Sequence, residues 1–328
     1  MRCNMKNSDR KEVWLAVVNV FAASRKAGSV WKKAAVMLNE AGVPYKAMFT
    51  GNGDNAIAIS RKASARGYRK FIAVGGDGTV HDVLNGIMNF VEASEDASLS
   101  DFSLGVIPVG SGNDWARCTM KNRTIENAVS LIASSSLAAQ DVVKVELLDG
   151  ENLEDAMPVS SAYMVNIGGI GLDAKVCEIV NRKKEQGKRG KILYVTALLK
   201  CIRERVPCTA SVCCDGVLAF EGKYLSIGLG IGKYSGGGMR QTPDAELDDG
   251  FLDLTVIPDI PLSTIAKAAP KLFTDKLRTV KELTFVRGKS ISVVCREPVE
   301  VDGEVVGIAP VRFNVLPQQL NIIKEQAL

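Results

Sequence analysis

The 328-residue chain contains a single histidine, His81. That scarcity removes whole classes of chemistry. A Ser-His-Asp hydrolase or a Cys-His nucleophile pair would have to be built on that one imidazole. A metal centre with two or three histidines is impossible within one chain. Metal-type cysteine spacing is lacking too. The eight cysteines (Cys3, Cys118, Cys177, Cys201, Cys208, Cys213, Cys214 and Cys295) include no CxxC pair, which argues against structural zinc and thioredoxin-like chemistry. Scattered among mostly apolar neighbours, they read as reduced core thiols of a cytosolic protein. No stretch approaches the roughly 18 apolar residues needed to span a bilayer. The apolar run Trp14 to Ala23 has signal-peptide length, but Asp9 and Glu12 precede it, Asn19 interrupts it and Ser24-Arg25-Lys26 follow. It reads as a buried strand entering a loop. Charge imbalance is weak as well: 41 Lys and Arg oppose 37 Asp and Glu, a net +4. A nucleic-acid partner, which demands a concentrated basic face, is therefore not expected. Low-complexity tracts and fixed-period repeats are absent.

What is present describes a globular chain, 46% hydrophobic and 24% charged, of a length that suggests two domains. Residues 13–18 form a continuous apolar run, as expected for a strand buried on both faces. Helical spacing follows over 29–41, closed by Gly42 and Pro44. Strand 45–49, helix 54–66, strand 71–74, helix 80–90 and strand 104–108 continue the alternation, which implies parallel pairing in a layered α/β domain. Near Asp141 the character changes to short β runs at 142–148, 161–168, 209–214, 217–220, 223–230, 251–257, 284–286, 290–296 and 311–315. Helical spacing persists over 173–182, 191–203 and 263–273. The second half is thus a β-rich, sandwich-type domain. We expect domains at 1–140 and 141–310, with 311–328 packing back on the first.

Chemistry concentrates at two glycine turns. In FIAVGGDGTVHDVLNGI (71–87) an apolar strand ends in Gly75-Gly76-Asp77-Gly78-Thr79 and enters an amphipathic helix. Glycines allow close backbone approach, and the helix N-terminus favours a phosphate. Asp77 would repel a bare phosphate, so a Mg²⁺ ion or a ribose hydroxyl is expected between them. The turn is neither a Walker A loop nor a dinucleotide fingerprint. The second turn, Gly110-Ser111-Gly112-Asn113-Asp114, follows strand 104–108 in the same way, so both turns should lie side by side at one sheet edge. Ser111 and Asn113 offer hydrogen bonds and Asp114 a second carboxylate. Read alone, Asp302-Gly303 is equally a hairpin turn, and Asp248-Asp249-Gly250 equally an ordinary turn.

GGDGTVHDVLNGI followed by GVIPVGSGNDWAR resembles the catalytic domain of diacylglycerol kinases and related bacterial lipid kinases, and more distantly that of sphingosine and ceramide kinases. NIGGIGLDA (166–174), Gly236 to Met239, TPDAELDDGFLDL (242–254) and VEVDGE (299–304) extend the resemblance, in order, over about residues 13–316. It implies an N-terminal α/β domain like those of phosphofructokinases and NAD kinases, then a C-terminal β-sandwich, with ATP in the cleft between them. Carried over, Gly75, Gly76, Asp77, Gly78 and Thr79 hold ATP phosphates. Asn19, Thr50, Ser111, Gly112 and Asn113 line the nucleotide site. His81, two residues after Thr79, is either a nucleotide contact or helix packing. Asp77, Asp114 and Asp141 surround catalytic Mg²⁺. Asp302 or Glu304 is the proton acceptor. A second, structural Mg²⁺ is implied at the Asp249 carboxylate with the carbonyls of Glu246 and Phe251. Two departures stand out. The first loop, Asn19-Val20-Phe21-Ala22-Ala23-Ser24, has no Pro and delays glycine to Gly28, and Asp82 stands where the family usually has Glu.

The implied function is an ATP- and Mg²⁺-dependent lipid kinase acting on diacylglycerol or a similar lipid, cytoplasmic and transiently at the inner membrane face. Alternatives are a kinase of a sphingoid base or isoprenoid alcohol, a soluble kinase of the NAD kinase type, or a non-catalytic nucleotide- or lipid-binding regulator. Expected partners are the lipid at the membrane surface and a second copy in a homodimer. The run Arg182 to Lys191, six positive charges against one negative, reads as a solvated loop or a contact with anionic lipid. Segment 263–273 reads as core packing or membrane contact.

Overall fold

The computed structural model describes residues 10–22, 27–51, 53–110, 112–150, 153, 155–186, 191–204 and 206–326. It divides into two compact units, Met1–Gln140 with Gln318–Leu328, and Asp141–Pro317.

The first unit is a parallel sheet in the order β2-β1-β3-β4, formed by β1 (Trp14–Val18), β2 (Tyr45–Phe49), β3 (Lys70–Gly75) and β4 (Ser103–Pro108). Its helices are α1 (Ala27–Glu40), α2 (Ala56–Ala65), α3 (Asp77–Val91), α4 (Asp114–Thr119) and α5 (Ile125–Ala133). Every residue of β1 and β4 is buried, as a parallel sheet covered on both faces requires. Val18 pairs with Val74 and Val74 with Ile107. The chain therefore leaves β1, β3 and β4 at one level, and Asn19, Gly76 and Val109 emerge together at that edge.

The second unit is antiparallel. After Asp141, β5 (Leu137–Leu148) pairs with β6 (Pro158–Met164). The rest runs β14-β13-β7-β9-β8-β12-β15, with β10 between β9 and β11. These strands are β7 (Ile167–Gly171), β8 (Cys208–Cys214), β9 (Val217–Gly230), β10 (Leu252–Pro258), β11 (Thr284–Gly288), β12 (Ser290–Val294), β13 (Pro298–Val301), β14 (Glu304–Ile308) and β15 (Val311–Ile323). Their apolar residues, among them Val143, Ile170, Val212, Leu254, Val293 and Phe313, form one core. Helices α6 (Leu172–Glu185) and α7 (Lys191–Arg203) pack on each other around Val176, Val180 and Ala197. A short helix, α8 (Leu262–Ala268), follows β10.

The structure differs from the sequence pattern in the lengths of β5 and β15, in the helix Ile125–Ala133, and at four further points. The run 161–168 is two strands, broken at Val165–Asn166. The runs 217–220 and 223–230 are one strand, continuous through Gly222. Helical spacing over 263–273 holds only to Ala268, after which Pro270, lacking an N–H, leaves a 3₁₀ turn over Ala269–Phe273. The chain rejoins the first unit at Gln318 rather than 311, where Asn321 and Ile322 pair in parallel with Ser103 and Leu104. Among the described residues no helix is long and apolar enough to cross a membrane. Of the basic run, residues 187–190 lie outside the described residues.

Candidate active site

In the first unit the two glycine turns are tied together. β3 ends at Gly75, and α3 begins at Asp77 without a side-chain cap on its first turn. Gly76, Asp77 and Gly78 are only partly buried, so the amide-rich start of α3 faces outward and suits an anion. The Asp77 carboxylate accepts the Trp115 N–H through Oδ1 at 2.9 Å. A β-carbon at Gly112 would stand 3.4 Å from Asp77 Oδ2 and 3.6 Å from Asp114 Oδ2, so both carboxylates converge beside the bare Gly112 backbone. Arg117 pairs with Asp114 Oδ1 at 3.4 Å. Asn113 takes a left-handed backbone, φ 51°. Its Nδ2 donates to the Gly110 carbonyl, and its Oδ1 is a buried acceptor without a partner, 3.8 Å from where a Gly76 β-carbon would stand. A buried acceptor left unpaired costs about 1–3 kcal/mol, and a nucleotide N–H or O–H would satisfy it. Ser111 lies outside the described residues.

Thr79 is turned inward. It is 2% exposed, accepts from Asn19 Nδ2 at 3.0 Å, and packs so tightly on Gly75 that a β-carbon there would lie 2.1 Å from Thr79 Oγ1. Asn19 Oδ1 caps the Phe21 N–H, and Thr50 Oγ1 accepts from Val20 N–H. The first loop, though short of glycine and proline, is thus held by side chains at the same sheet edge. Thr79, Thr50 and Asn19 act as its internal ties. His81 is buried in α3, with its ring against Asn85 Nδ2 at 3.4 Å.

The second unit holds the other carboxylates. Asp302 and Gly303, both with positive φ (52° and 92°), form the two-residue turn between β13 and β14. Asp302 is 4% exposed. Its carboxylate accepts three backbone N–H groups, from Val165 at 2.9 Å, Asn166 at 2.9 Å and Ile167 at 3.2 Å. That explains the break between β6 and β7. Glu304, by contrast, opens β14 exposed to solvent. Asn166 Nδ2 donates to Tyr234 O, just before the left-handed glycines Gly236, Gly237 and Gly238, so three family-like segments meet around it. Sequence reasoning missed two residues here. Asp173 is fully buried and accepts from Ser226 Oγ and from Gln241 Nε2. Glu300 accepts the Gly303 N–H at 2.9 Å. Burial pushes both carboxyls above the usual range, Glu300 well above it, where Asp173 adds to the effect. The readable signals were an Asp inside NIGGIGLDA and an acidic residue between two buried valines in VEVDGE.

Of the expected Asp77–Asp114–Asp141 set, the structure shows Asp77 and Asp114 converging beside Gly112. Asp141 begins the second unit, and its Oδ2 accepts the Gly250 N–H at 2.7 Å. Among the described residues no three acidic, histidine or cysteine side chains gather to hold a metal ion. Asp77 and Asp114 alone fit Mg²⁺, which keeps several waters and needs only one or two carboxylates. At the Glu246–Asp249–Phe251 turn, Asp249 is ion-paired with Arg287 and accepts the Phe251 N–H.

Two family profiles match the chain: a diacylglycerol kinase catalytic domain over residues 13–145 and a YegS C-terminal NAD kinase beta sandwich-like domain over 166–324. A probable lipid kinase YegS-like protein of Xanthomonas axonopodis pv. citri is 25% identical over 89% of this chain and 90% of its own length. A diacylglycerol kinase of Staphylococcus carnosus is 24% identical over 88% and 87%. The fold matches the crystal structure of a diacylglycerol kinase from Bacillus anthracis at TM-score 0.72 and 23% identity, covering 96% and 97% of the two chains. It also matches an NAD kinase from Archaeoglobus fulgidus in complex with ATP at TM-score 0.51 and 13% identity, over 96% and 94%. Matched in order over 13–145 and 166–324, the two profiles place this chain among the kinases that join a diacylglycerol kinase catalytic domain to a YegS-type C-terminal domain.

Proposed function

We propose that the protein transfers the γ-phosphoryl group of ATP to the hydroxyl of diacylglycerol or a similar lipid, with Mg²⁺. The observation that carries this reading is the convergence of Asp77 and Asp114 beside Gly112, next to the uncapped start of α3 and the unpartnered Asn113 Oδ1. Phosphoryl transfer asks for positioning and charge neutralisation, and this edge offers backbone amides for phosphate, two carboxylates for a hydrated cation, and an acceptor for a nucleotide N–H or O–H. Mg²⁺ bound there would neutralise phosphate charge. The bond from the acceptor oxygen to phosphorus forms as the bond to ADP breaks, and the hydroxyl proton goes to a carboxylate.

Glu304 is our choice for that carboxylate. It is exposed at the hairpin, whereas Asp302 is buried and its carboxylate holds three backbone N–H groups. A pocket of about 310 Å³ in the second unit combines apolar wall from Leu172, Ile179, Val206, Pro207, Tyr224 and Leu225 with charged groups at Lys175, Glu178, Glu204, Asp259 and Glu297, a mixture that suits an amphipathic lipid. Helix α6 joins the two features. Leu172 and Ile179 line the pocket, while Cys177 and Asn181 hydrogen-bond the Gly303 carbonyl at 2.8 and 2.9 Å. Peripheral contact with anionic membrane is supported by exposed Leu262 and Phe273 in a segment, 262–281, that also carries exposed Lys267, Lys276 and Lys281, each charge near such a surface adding about 1 kcal/mol.

The test is transfer from labelled ATP, with Mg²⁺, to diacylglycerol, a sphingoid base or an isoprenoid alcohol in mixed micelles. Label on diacylglycerol is the expected result. Label on another alcohol would reassign the acceptor. Intact ATP binding with no transfer to any lipid would overturn the proposal in favour of a regulator.

A further inference from the structure

Glu300 occupies an unusual place for a glutamate. On β13 it pairs directly with Gly169 of β7, Gly169 pairs with Gly228 of β9, and Gly228 with Thr255 of β10. Residues in one such cross-strand row share one face of the sheet. Two of the four are glycines, and polar side chains from elsewhere fill the space above them. A β-carbon at Gly169 would lie 2.5 Å from Asp173 Cβ and 3.2 Å from its Oδ2, and one at Gly228 would lie 3.4 Å from Gln241. The Asp173 carboxyl therefore sits over Gly169, beside Glu300. Gln241 sits over Gly228 and donates to Asp173 at 2.7 Å, while Ser235 and Thr255 bond Gln241 in turn. This is a continuous buried polar row with no lysine or arginine in its hydrogen bonds. It ends at Glu300, whose Oε2 accepts the Gly303 N–H.

We propose that Glu300 is a positioning residue: packed beside Asp173 over Gly169, it grips the Gly303 N–H and fixes the turn from which Asp302 and Glu304 are presented. As a statement about phosphoryl transfer this rests on the kinase reading. As a statement about the turn it stands alone. The charged groups facing Glu300 are Asp173 from α6 and Asp302 and Glu304 from its own hairpin, all acidic. Burial and these acidic neighbours raise the Glu300 carboxyl well above its usual range, while the Gly303 N–H pulls the other way by favouring the charged form.

The test compares wild type, Glu300→Gln and Glu300→Ala by amide hydrogen exchange over residues 299–306, corrected for intrinsic rates. We expect Glu300→Gln, which keeps an acceptor for the Gly303 N–H, to hold most of the wild-type protection at that amide, and Glu300→Ala to lose at least about ten-fold of it. With diacylglycerol as acceptor, kcat should fall in Glu300→Ala and be largely kept in Glu300→Gln, with KM for ATP unchanged in all three. An Ala variant as protected as wild type, or a Gln variant as unprotected as Ala, would overturn the proposal. A wild type that phosphorylates no lipid sinks the kinase reading, and hydrogen exchange then decides Glu300 by itself.

Discussion

The Asp77 carboxylate accepts the Trp115 N–H at 2.9 Å, so one side chain from the first glycine turn closes over the second. Asp77 has both a structural task, carried by Oδ1, and a chemical one, assigned to its charge. Asp77→Asn keeps an acceptor for Trp115 and removes the charge. We expect turnover to fall at least about 100-fold, equivalent to roughly 3 kcal/mol of transition-state stabilisation, while the melting temperature stays close to wild type. Undiminished turnover in a folded Asp77→Asn variant would leave Asp77 as a tie only.

Asp302 and Glu304 should separate cleanly. Asp302→Ala strands three buried N–H groups and puts alanine at φ 52°. The expected loss is roughly 3–5 kcal/mol of stability, measured by urea unfolding. Glu304→Gln, at an exposed position, should stay within about 0.5 kcal/mol of wild type yet lose most of its kcat. The opposite pattern, a stable Asp302→Ala with no turnover, would make Asp302 the base.

Gly75→Ala would drive a β-carbon to 2.1 Å from Thr79 Oγ1, between two fully buried strands. We expect a cost of roughly 2–3 kcal/mol, read as a lower melting temperature, together with weaker ATP binding because the displaced residue begins the phosphate turn.

At the acidic turn Arg287 pairs with Asp249. Removing Mg²⁺ with a chelator should abolish turnover while leaving the melting temperature unchanged. Arg287→Ala, which leaves Asp249 and the neighbouring Asp253 without their guanidinium, should lower it. A chelator-induced drop in the wild-type melting temperature would restore a structural metal ion to that turn.

The Cys208 thiol is pushed up to about 11, first by burial and then by its hydrogen bond to Glu297. It should resist alkylation at pH 8. Glu297→Gln removes the carboxylate part of that effect, so labelling of Cys208 at pH 9.5, followed by peptide mass spectrometry, should speed up. An unchanged rate would make burial the whole cause.

Much of this could be read from residues alone. Apolar runs such as WLAVV and FIAVG require a sheet covered on both faces, and a glycine turn after each of two parallel strands puts both at one edge. Those are consequences of local periodicity and backbone freedom, which sequence carries directly. A strand limit moved at Val165–Asn166, where Asp302 binds the backbone, and a helix stopped before Pro270, while β5 begins at Leu137 and β15 runs on to Ile323, beyond the apolar runs that announced them.

Tertiary structure alone decided which acidic residues do what. Asp302 and Glu304 are two residues apart and equally acidic on paper, but one is buried among three amides and the other faces solvent. Asp141 accepts the Gly250 N–H, 109 residues away in the chain, and Asp249 is matched by an arginine 38 residues further along. Glu300 reads as an ordinary strand glutamate until the empty space over Gly169 brings Asp173 beside it. A side chain's charge is written in the sequence, whereas its solvation and its partners depend on residues far away in the chain, and it is those that set its chemistry.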